Sequence, residues 1–438
     1  MKRRTFIKKL GLTTGATLAA PYILPSGRLF AATGARKANH VVVCLFAGGV
    51  RSLESHLFAN GSYGNVMPFT FNGSTENLAG VDVGQTLGTP SGQTLQEQGT
   101  LFSNVKLKQG PTGHYNGHAT LLTGVYTDTN LNINSNPQYP TLFELYRKHN
   151  SPSMSALNAW WVSNSLGPYP QLNYSTDPSY GSAYGANYIQ PQSFLNVGYD
   201  SIYSAESFAF GNNQNSKQNI DAIRGFCDEN FSREFSNNEG IVNTLEDSIV
   251  LEAFIQDNFE KAALGAFNDP WGLGTNAYNN DMRTVFFAEE IIKEFTPELL
   301  VVNMQNVDTA HANTTNYLNN LKRADYALAH LWETIKTTPG MENTILIAVP
   351  EHGRNSQTNG RVDGFGREGT DHTGDAMSRD VFAMVLGHQT DSFVNTNSII
   401  DTEKETIDIV PTVANILGFD NDIPAGRING NVLNEAFN

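Results

Sequence analysis

Three groups of residues along this chain have the types and spacing to do metal chemistry. Asp308 and His311 follow the apolar run LVVNMQN, Glu351, His352 and Arg354 follow TILIAVP directly, and Asp371 and His372 lie in the glycine-flanked stretch GREGTDHTGD. Carboxylates and imidazoles are the ligand types of zinc, of manganese, or of a mixed pair of divalent ions. Each group also has an ordinary reading. Asp308 could cap a helix, Glu351 and Arg354 could form a local ion pair, and Asp371 and His372 could shape a polar turn. Their occurrence together, in the loops of one consecutive β/α series, favours a metal site.

The elements that would position them can be read from periodicity. HVVVCLF, residues 40–46, is a short β-branched run that stops at Ala47, Gly48 and Gly49, the pattern of a buried parallel strand entering a tight loop. Leu299–Met304 and Thr344–Val349 read the same way, and between them Leu318, Leu321, Ala324, Leu328, Trp332 and Ile335 fall at helical spacing within Asn316 to Thr337. Strand, helix, strand is a βαβ unit, and open α/β sheets place their sites at the carboxyl ends of such strands. Further helices are expected at Asp247–Ala266, Met282–Phe295 and Thr406–Leu417, and another strand at Asp380–Leu386. Residues 155–215, rich in Asn, Ser, Tyr and Gly, show no sustained period and read as part of an irregular insertion around 150–240. Its Trp160 and Trp161 could stack on sugar rings.

At the amino end, Arg3 and Arg4 precede Thr5, Phe6, Ile7 and Lys8, a broken apolar stretch runs to Leu24, and small residues follow around Ala31 to Ala35. This is the pattern of a twin-arginine signal over residues 1–34, which predicts a folded protein handed to the twin-arginine translocase and released to the periplasm or outside the cell. The apolar part is too short and interrupted for a stable membrane anchor. Removing residues 1–34 takes away six cations and no acids and lowers the formal charge from −15 to −21. Such a field repels polyanions, which argues against nucleic acid as a partner. Two cysteines, Cys44 and Cys227, exclude a disulfide framework and a thiolate zinc cluster.

The order Asp-x-x-His, Glu-His-Gly-Arg, Gly-Thr-Asp-His and then TIDIVPTVANILGF at Thr406–Phe419 resembles the alkaline phosphatase and sulfatase superfamily. HVVVCLFAGG is similar to its first strand and metal loop, and GHYNGHATLLTGVY, Gly113–Tyr126, to its nucleophile helix. The nearer resemblance is to the exported branch called DUF1501. Residues 130–295 carry none of these motifs. The resemblance implies an α/β fold, an alkaline-phosphatase-like three-layer sandwich with a mostly parallel central sheet and an irregular insertion, forming one domain over residues 35–438.

It also implies a binuclear metal site acting on phosphoryl or sulfuryl oxygens. Asp308, His311 and His372 match its first ligand set, and Glu351 and His352 match part of its second. Arg354 is expected to hold a non-bridging oxygen. Zinc is the first candidate, with manganese or calcium as alternatives. Three departures stand out. Ala47 replaces the aspartate after the first strand, the nucleophile position ten residues before Gly124 is His114, and Asp308 and His311 are one residue closer than in alkaline phosphatases. No Cys-x-Pro-x-Arg stretch exists, so a formylglycine cannot form. Enough ligands remain for at least one ion with an open position. His114 could be a nucleophile, a general base, or a ligand together with His118, and Thr112 offers a hydroxyl two residues out of register. The expected function is an exported metal-dependent hydrolase of small anionic phosphate or sulfate esters. The alternatives are a degenerate relative that binds or assembles in the envelope, and a carbohydrate-binding role for the insertion.

Overall fold

The computed structural model describes residues 34–127, 135–150, 156–163, 172–191, 243–373, 375–388 and 393–438. The signal reading falls outside these residues apart from Gly34, as do Cys227 and most of the 150–240 stretch.

Strand β1, His40–Phe46, is buried along its whole length and shows why the fold has three layers. Val42, Cys44 and Phe46 point into one core, shared with helices that lie on that face of the sheet. Val41, Val43 and Leu45 point into a second core on the opposite face. An apolar run buried on both faces is what a central parallel strand requires. The chain continues through β2 (Gly99–Lys106), helix α1 (His114–Thr123), β3 (Ala159–Ser163), β4 (Asn187–Ile189), α2 (Leu245–Ala263), α3 (Asn280–Phe295), β5 (Leu299–Met304), α4 (Thr314–Thr337), β6 (Thr344–Pro350), β7 (Asp380–His388), β8 (Ser398–Ile400), β9 (Lys404–Glu405) and α5 (Ile409–Leu417). Residues of α2, α3 and α4 line the first core, and those of α1 and α5 the second. This is the three-layer α/β arrangement that the resemblance implies.

The sheet order is β4-β3-β5-β1-β6-β7-β2-β8, with β9 also paired to β2. Pairing is parallel from β4 through β6 and antiparallel where β7 meets β6 and β2. Phe46 stands beside both Met304 and Pro350, so β1, β5 and β6 end at one edge. Because β7 runs antiparallel to β6, the connection 351–379 leaves from that edge and returns to it. Lys106 at the end of β2 pairs with Asp380 at the start of β7, which brings the lead-in to α1 to the same place. Topology alone therefore gathers Gly48, Asp308, Glu351, His372 and His114.

The 155–215 stretch is more regular than its composition suggests where it is described. It contributes β3 and β4 to the sheet, and β3 pairs with β5 over Ala159–Ser163. Trp160 and Trp161 are buried, so the sugar-stacking expectation for them is corrected. The Trp160 ring stacks on Phe295 and its Nε1 donates to the Leu157 carbonyl at 2.6 Å. The five residues of β3 are too few to stand out against polar neighbours. No helix among the described residues is long and apolar enough to cross a membrane.

Candidate metal centre

The turn after β1 makes room for the cluster. Gly48 and Gly49 adopt φ of 102° and 81°, and a Cβ at Gly48 would lie 2.5 Å from the Asp308 nitrogen. At Gly49 it would meet the His352 ring at 2.5 Å. Only glycine takes this backbone freely, and the turn aims the Gly48 N–H at Oε1 of Glu351. Ala47, in the place of the expected aspartate, is buried and offers no ligand atom.

Asp308, His311 and His372 present ligand atoms that all lie within 4.8 Å of one another. Asp308 and His311 sit on a single 3₁₀ turn, Asn306–His311, whose entry is held by Asp281, which accepts the Gln305 N–H at 2.6 Å. His311 Nδ1 faces Asp371 Oδ1 at 2.6 Å, leaving Nε2 to face Asp308 Oδ1 at 3.3 Å. Asn359 braces this pair by donating from Nδ2 to Asp371 Oδ1 at 3.0 Å and to the His311 carbonyl at 2.9 Å. His372 Nδ1 faces the Thr112 carbonyl at 2.5 Å. A carbonyl can only accept, so the proton of that ring is on Nδ1 and a lone pair is on Nε2. A hydrogen-bond acceptor on one ring nitrogen, with the other turned toward the cluster, is the arrangement metal-binding histidines use. Burial, with His352 and His114 nearby, pulls the His372 pKa down to about 3, so the ring is neutral.

His352 is arranged alike. Its Nδ1 faces the Gly353 carbonyl at 2.8 Å, burial lowers its pKa despite Glu351, and its ring stacks on His372 at 4.3 Å between centroids. His114, His352 and His372 form a second group of ligand atoms within 4.8 Å. His114 occupies the first turn of α1, with Nδ1 at 2.7 Å from Glu351 Oε1 and 3.4 Å from His352 Nε2, and Nε2 at 3.4 Å from Asp308 Oδ2. Burial disfavours charge on this ring, but the carboxylates of Glu351 and Asp308 override it and push its pKa up to about 10. Burial likewise works against charge on Asp308, yet His114, His311 and Arg354 hold its carboxyl well below the usual range. In Glu351 the same contest is won by His118, His114 and His352. His118 is fully buried, with Nδ1 against Glu351 Oε2 and Nε2 at 3.0 Å from Asn303 Oδ1.

All five expected ligands and His114 thus meet at one edge of the sheet. His114, Asp308 and His311 keep 22%, 29% and 33% of their side-chain surface open to solvent. Two expected roles fit the geometry less well. Arg354 is wholly buried, and its guanidinium donates to the carbonyls of Gly48, Gly49 and Thr370 and to Asp308. It faces protein oxygens and holds the ligand loops together. The Thr112 hydroxyl donates to the His372 carbonyl, so it too supports the cluster. Asn359 and Asn303 carried no signal in the sequence, whereas the Gly48–Gly49 pair after a strand did. A cavity of about 370 Å³ lined by Phe69, Val81, Leu87 and Lys322 shares no lining residue with the cluster.

The family model for type I phosphodiesterase / nucleotide pyrophosphatase matches residues 83–367. Among solved structures, the chain is similar to a protein in the alkaline phosphatase superfamily from Vibrio parahaemolyticus, with 11% identity, TM-score 0.45, and coverage of 97% of this chain and 80% of that one. It is similar to wild-type alkaline phosphatase PafA, with 11% identity, TM-score 0.49, and coverage of 93% and 100%. It is also similar to the lipoteichoic acid synthase LtaP from Listeria monocytogenes, with 12% identity, TM-score 0.42, and coverage of 93% and 77%. No curated protein matches the sequence.

Proposed function

This chain belongs to the type I phosphodiesterase / nucleotide pyrophosphatase family, and on that premise we propose that it hydrolyses phosphate or sulfate esters, phosphodiesters first among them, at a divalent-metal centre. The observation that carries the reading is the convergence of Asp308, His311 and His372, in which two imidazoles have their Nδ1 atoms satisfied by other groups and their Nε2 atoms turned inward. One carboxylate and two imidazoles are a donor set for zinc, with manganese and calcium as poorer fits to the nitrogen ligands.

A cation held there would act as a Lewis acid on a phosphoryl or sulfuryl oxygen. The chain's own residues orient and protect that site. Arg354 fixes one oxygen of Asp308, Asp371 fixes the tautomer of His311, and Thr112 fixes both the ring and the carbonyl of His372. No hydroxyl or thiol stands at the nucleophile position, so water is the attacking group in this reading, entering from the side on which His114, Asp308 and His311 are open. His114 stands between Glu351 and Asp308 on that side.

Export through the twin-arginine route, and placement in the DUF1501 branch, are part of the same proposal, supported by Arg3 and Arg4 and by Glu351–Arg354 and Gly369–His372. A degenerate binding protein is the second reading, favoured by Ala47 and by the histidine at position 114. The test is metal content of the purified chain, read with turnover of bis-aryl phosphate, aryl phosphate and aryl sulfate after reloading with zinc, manganese or calcium. Metal-dependent turnover that Asp308→Ala removes supports the hydrolase. Stoichiometric metal without turnover of any ester supports the second reading, and absence of metal binding ends both the metal centre and the hydrolase.

A further inference from the structure

His114 stands between two incomplete ligand sets, one on each ring nitrogen. Its Nδ1 lies 2.7 Å from Glu351 Oε1 and 3.4 Å from His352 Nε2, and Glu351 Oε1 is itself 3.3 Å from His352 Nε2. These three atoms are therefore mutually spaced like ligands around one small cation, whose bonds of about 2 Å put tetrahedral ligand atoms roughly 3.3 Å apart. On the other side, His114 Nε2 is 3.4 Å from Asp308 Oδ2, and Asp308 belongs with His311 and His372. Ala47, at the end of β1 beside Glu351 and His352, is buried and offers no ligand atom, so a third donor for the first of these sets must come from elsewhere.

We propose that His114 bridges two cation sites, completing Glu351 and His352 through Nδ1 and joining Asp308, His311 and His372 through Nε2. This deepens the metal-hydrolase reading and rests on it. The histidine takes the place at which a hydroxyl nucleophile would join the two halves of the centre, and it supplies the donor that Ala47 does not. Balance is straightforward: the two N–H bonds of the His114 imidazolium break, two nitrogen–metal bonds form with the same electron pairs, and both protons go to solvent. The bridge is held by groups that do not themselves bind metal. Gly48 N–H donates to Glu351 Oε1, His118 Nδ1 lies against Oε2, and the α1 helix carries the His114 ring.

Copper(II) reports a bridge directly, because two copper ions joined through one imidazole ring couple their spins. The full-length chain is stripped with chelator, reloaded with copper(II), and examined for copper per chain and for the integrated electron paramagnetic resonance signal at low temperature. The proposal expects two coppers per chain, an integrated spin far below the copper content, and recovery of the full spin in His114→Gln. If that variant does not fold, His311→Gln serves instead, since weakening one set should leave one copper with an uncoupled spectrum. One copper per wild-type chain, or two with full spin, overturns the bridge while leaving the metal centre intact. No copper and no zinc bound overturns the bridge and the metal-hydrolase reading together.

Discussion

Arg354 is wholly removed from solvent, yet its Nη2 reaches Oδ1 of Asp308 at 2.9 Å, so a buried cationic side chain sets the position of a carboxylate that faces the open side of the cluster. The remaining donors of the guanidinium tie the β1 turn to the loop before His372. Removing it would take a donor from the carbonyls of Gly48, Gly49, Val307 and Thr370 and from Asp308. Arg354→Met is expected to destabilise the fold by about 3–5 kcal/mol, the cost of breaking a buried charge pair. Arg354→Lys should recover little, because an ammonium cannot span the fork. Urea denaturation of the metal-free variants measures this, and a loss below about 1 kcal/mol, no more than a single net hydrogen bond, would show that the guanidinium is dispensable.

The Asp371 carboxylate holds the His311 ring, through which it would act on a bound cation. Its Oδ1 faces Nδ1 of that ring, and Asn359 steadies it. Outer partners of this kind commonly change metal affinity by about 10–100-fold. Asp371→Asn and Asn359→Ala are each expected to weaken zinc binding in that range, measured by competition with a chelating dye, with little change in denaturation midpoint of the metal-free protein. Unchanged zinc affinity in both would remove Asp371 from the centre.

Much of the fold was legible in the sequence because its central strands are buried on both faces and bounded by clear breaks. His40–Phe46, Leu299–Met304 and Thr344–Pro350 are continuous apolar runs, and α4 has a full helical period. The candidate ligands were legible in part for a related reason, since Asp308 and Glu351 come soon after such strands, whereas Asp371 and His372 stood out by their glycine-flanked loop. Arg354 was harder. Its burial depends on four carbonyls brought together from distant loops, and sequence spacing carries no trace of them. His114 could be located by counting back from Gly124, but its two faces became visible only once Glu351 and Asp308 stood on either side of it. Strand β3 was obscured because its five residues sit among Asn- and Ser-rich neighbours, although AWWVS is buried throughout.

Trp160 follows from that last point. It stacks on Phe295, meets Phe254 edge-on and lies in the core beside β5. Trp160→Ala is expected to cost about 3–5 kcal/mol, as for other large aromatic truncations in a core. Retention of the chain on insoluble polysaccharide should not depend on this ring in folded protein. A stable variant that specifically loses such retention would restore the sugar-stacking role.

With no hydroxyl at position 114, hydrolysis should proceed without an ester on the protein. Attack by water inverts the configuration at phosphorus in one step, whereas a covalent intermediate splits the reaction in two. A phosphodiester substrate made chiral at phosphorus with sulfur and oxygen isotopes distinguishes them, and inversion is the expected result. Retention, or a phosphorylated His114 trapped by acid quench, would return the histidine to the role of nucleophile.

The metal-free protein should also carry an alkaline weakness that metal removes. His114 has its pKa raised to about 10 in the folded chain, against about 6.5 when unfolded. A raised histidine contributes stability that is fully present below the unfolded value and is lost as pH rises through the folded one. The window is therefore from about pH 6.5 to 10, and the loss is on the order of a few kcal/mol. His311 is shifted in the same direction by Asp308 and Asp371. Glu351 and Asp308 are depressed, so their contribution is lost at the acid end instead. Asp281, Asp325 and Glu54 are raised to about 7 by burial, and what they contribute is lost as pH rises through that value, mostly by about pH 8. Urea midpoints in chelator between pH 7.5 and 10 also register the buried Cys44 thiol and tyrosines such as Tyr115 and Tyr317, whose raised pKa values weaken the fold in the same direction, so the readout is the difference between wild type and His114→Gln, which should have the flatter slope. Zinc should flatten it too, since a cation at His114 replaces the protons whose loss causes the weakness. An equally steep slope in wild type and His114→Gln would mean that the carboxylates do not hold charge on this ring.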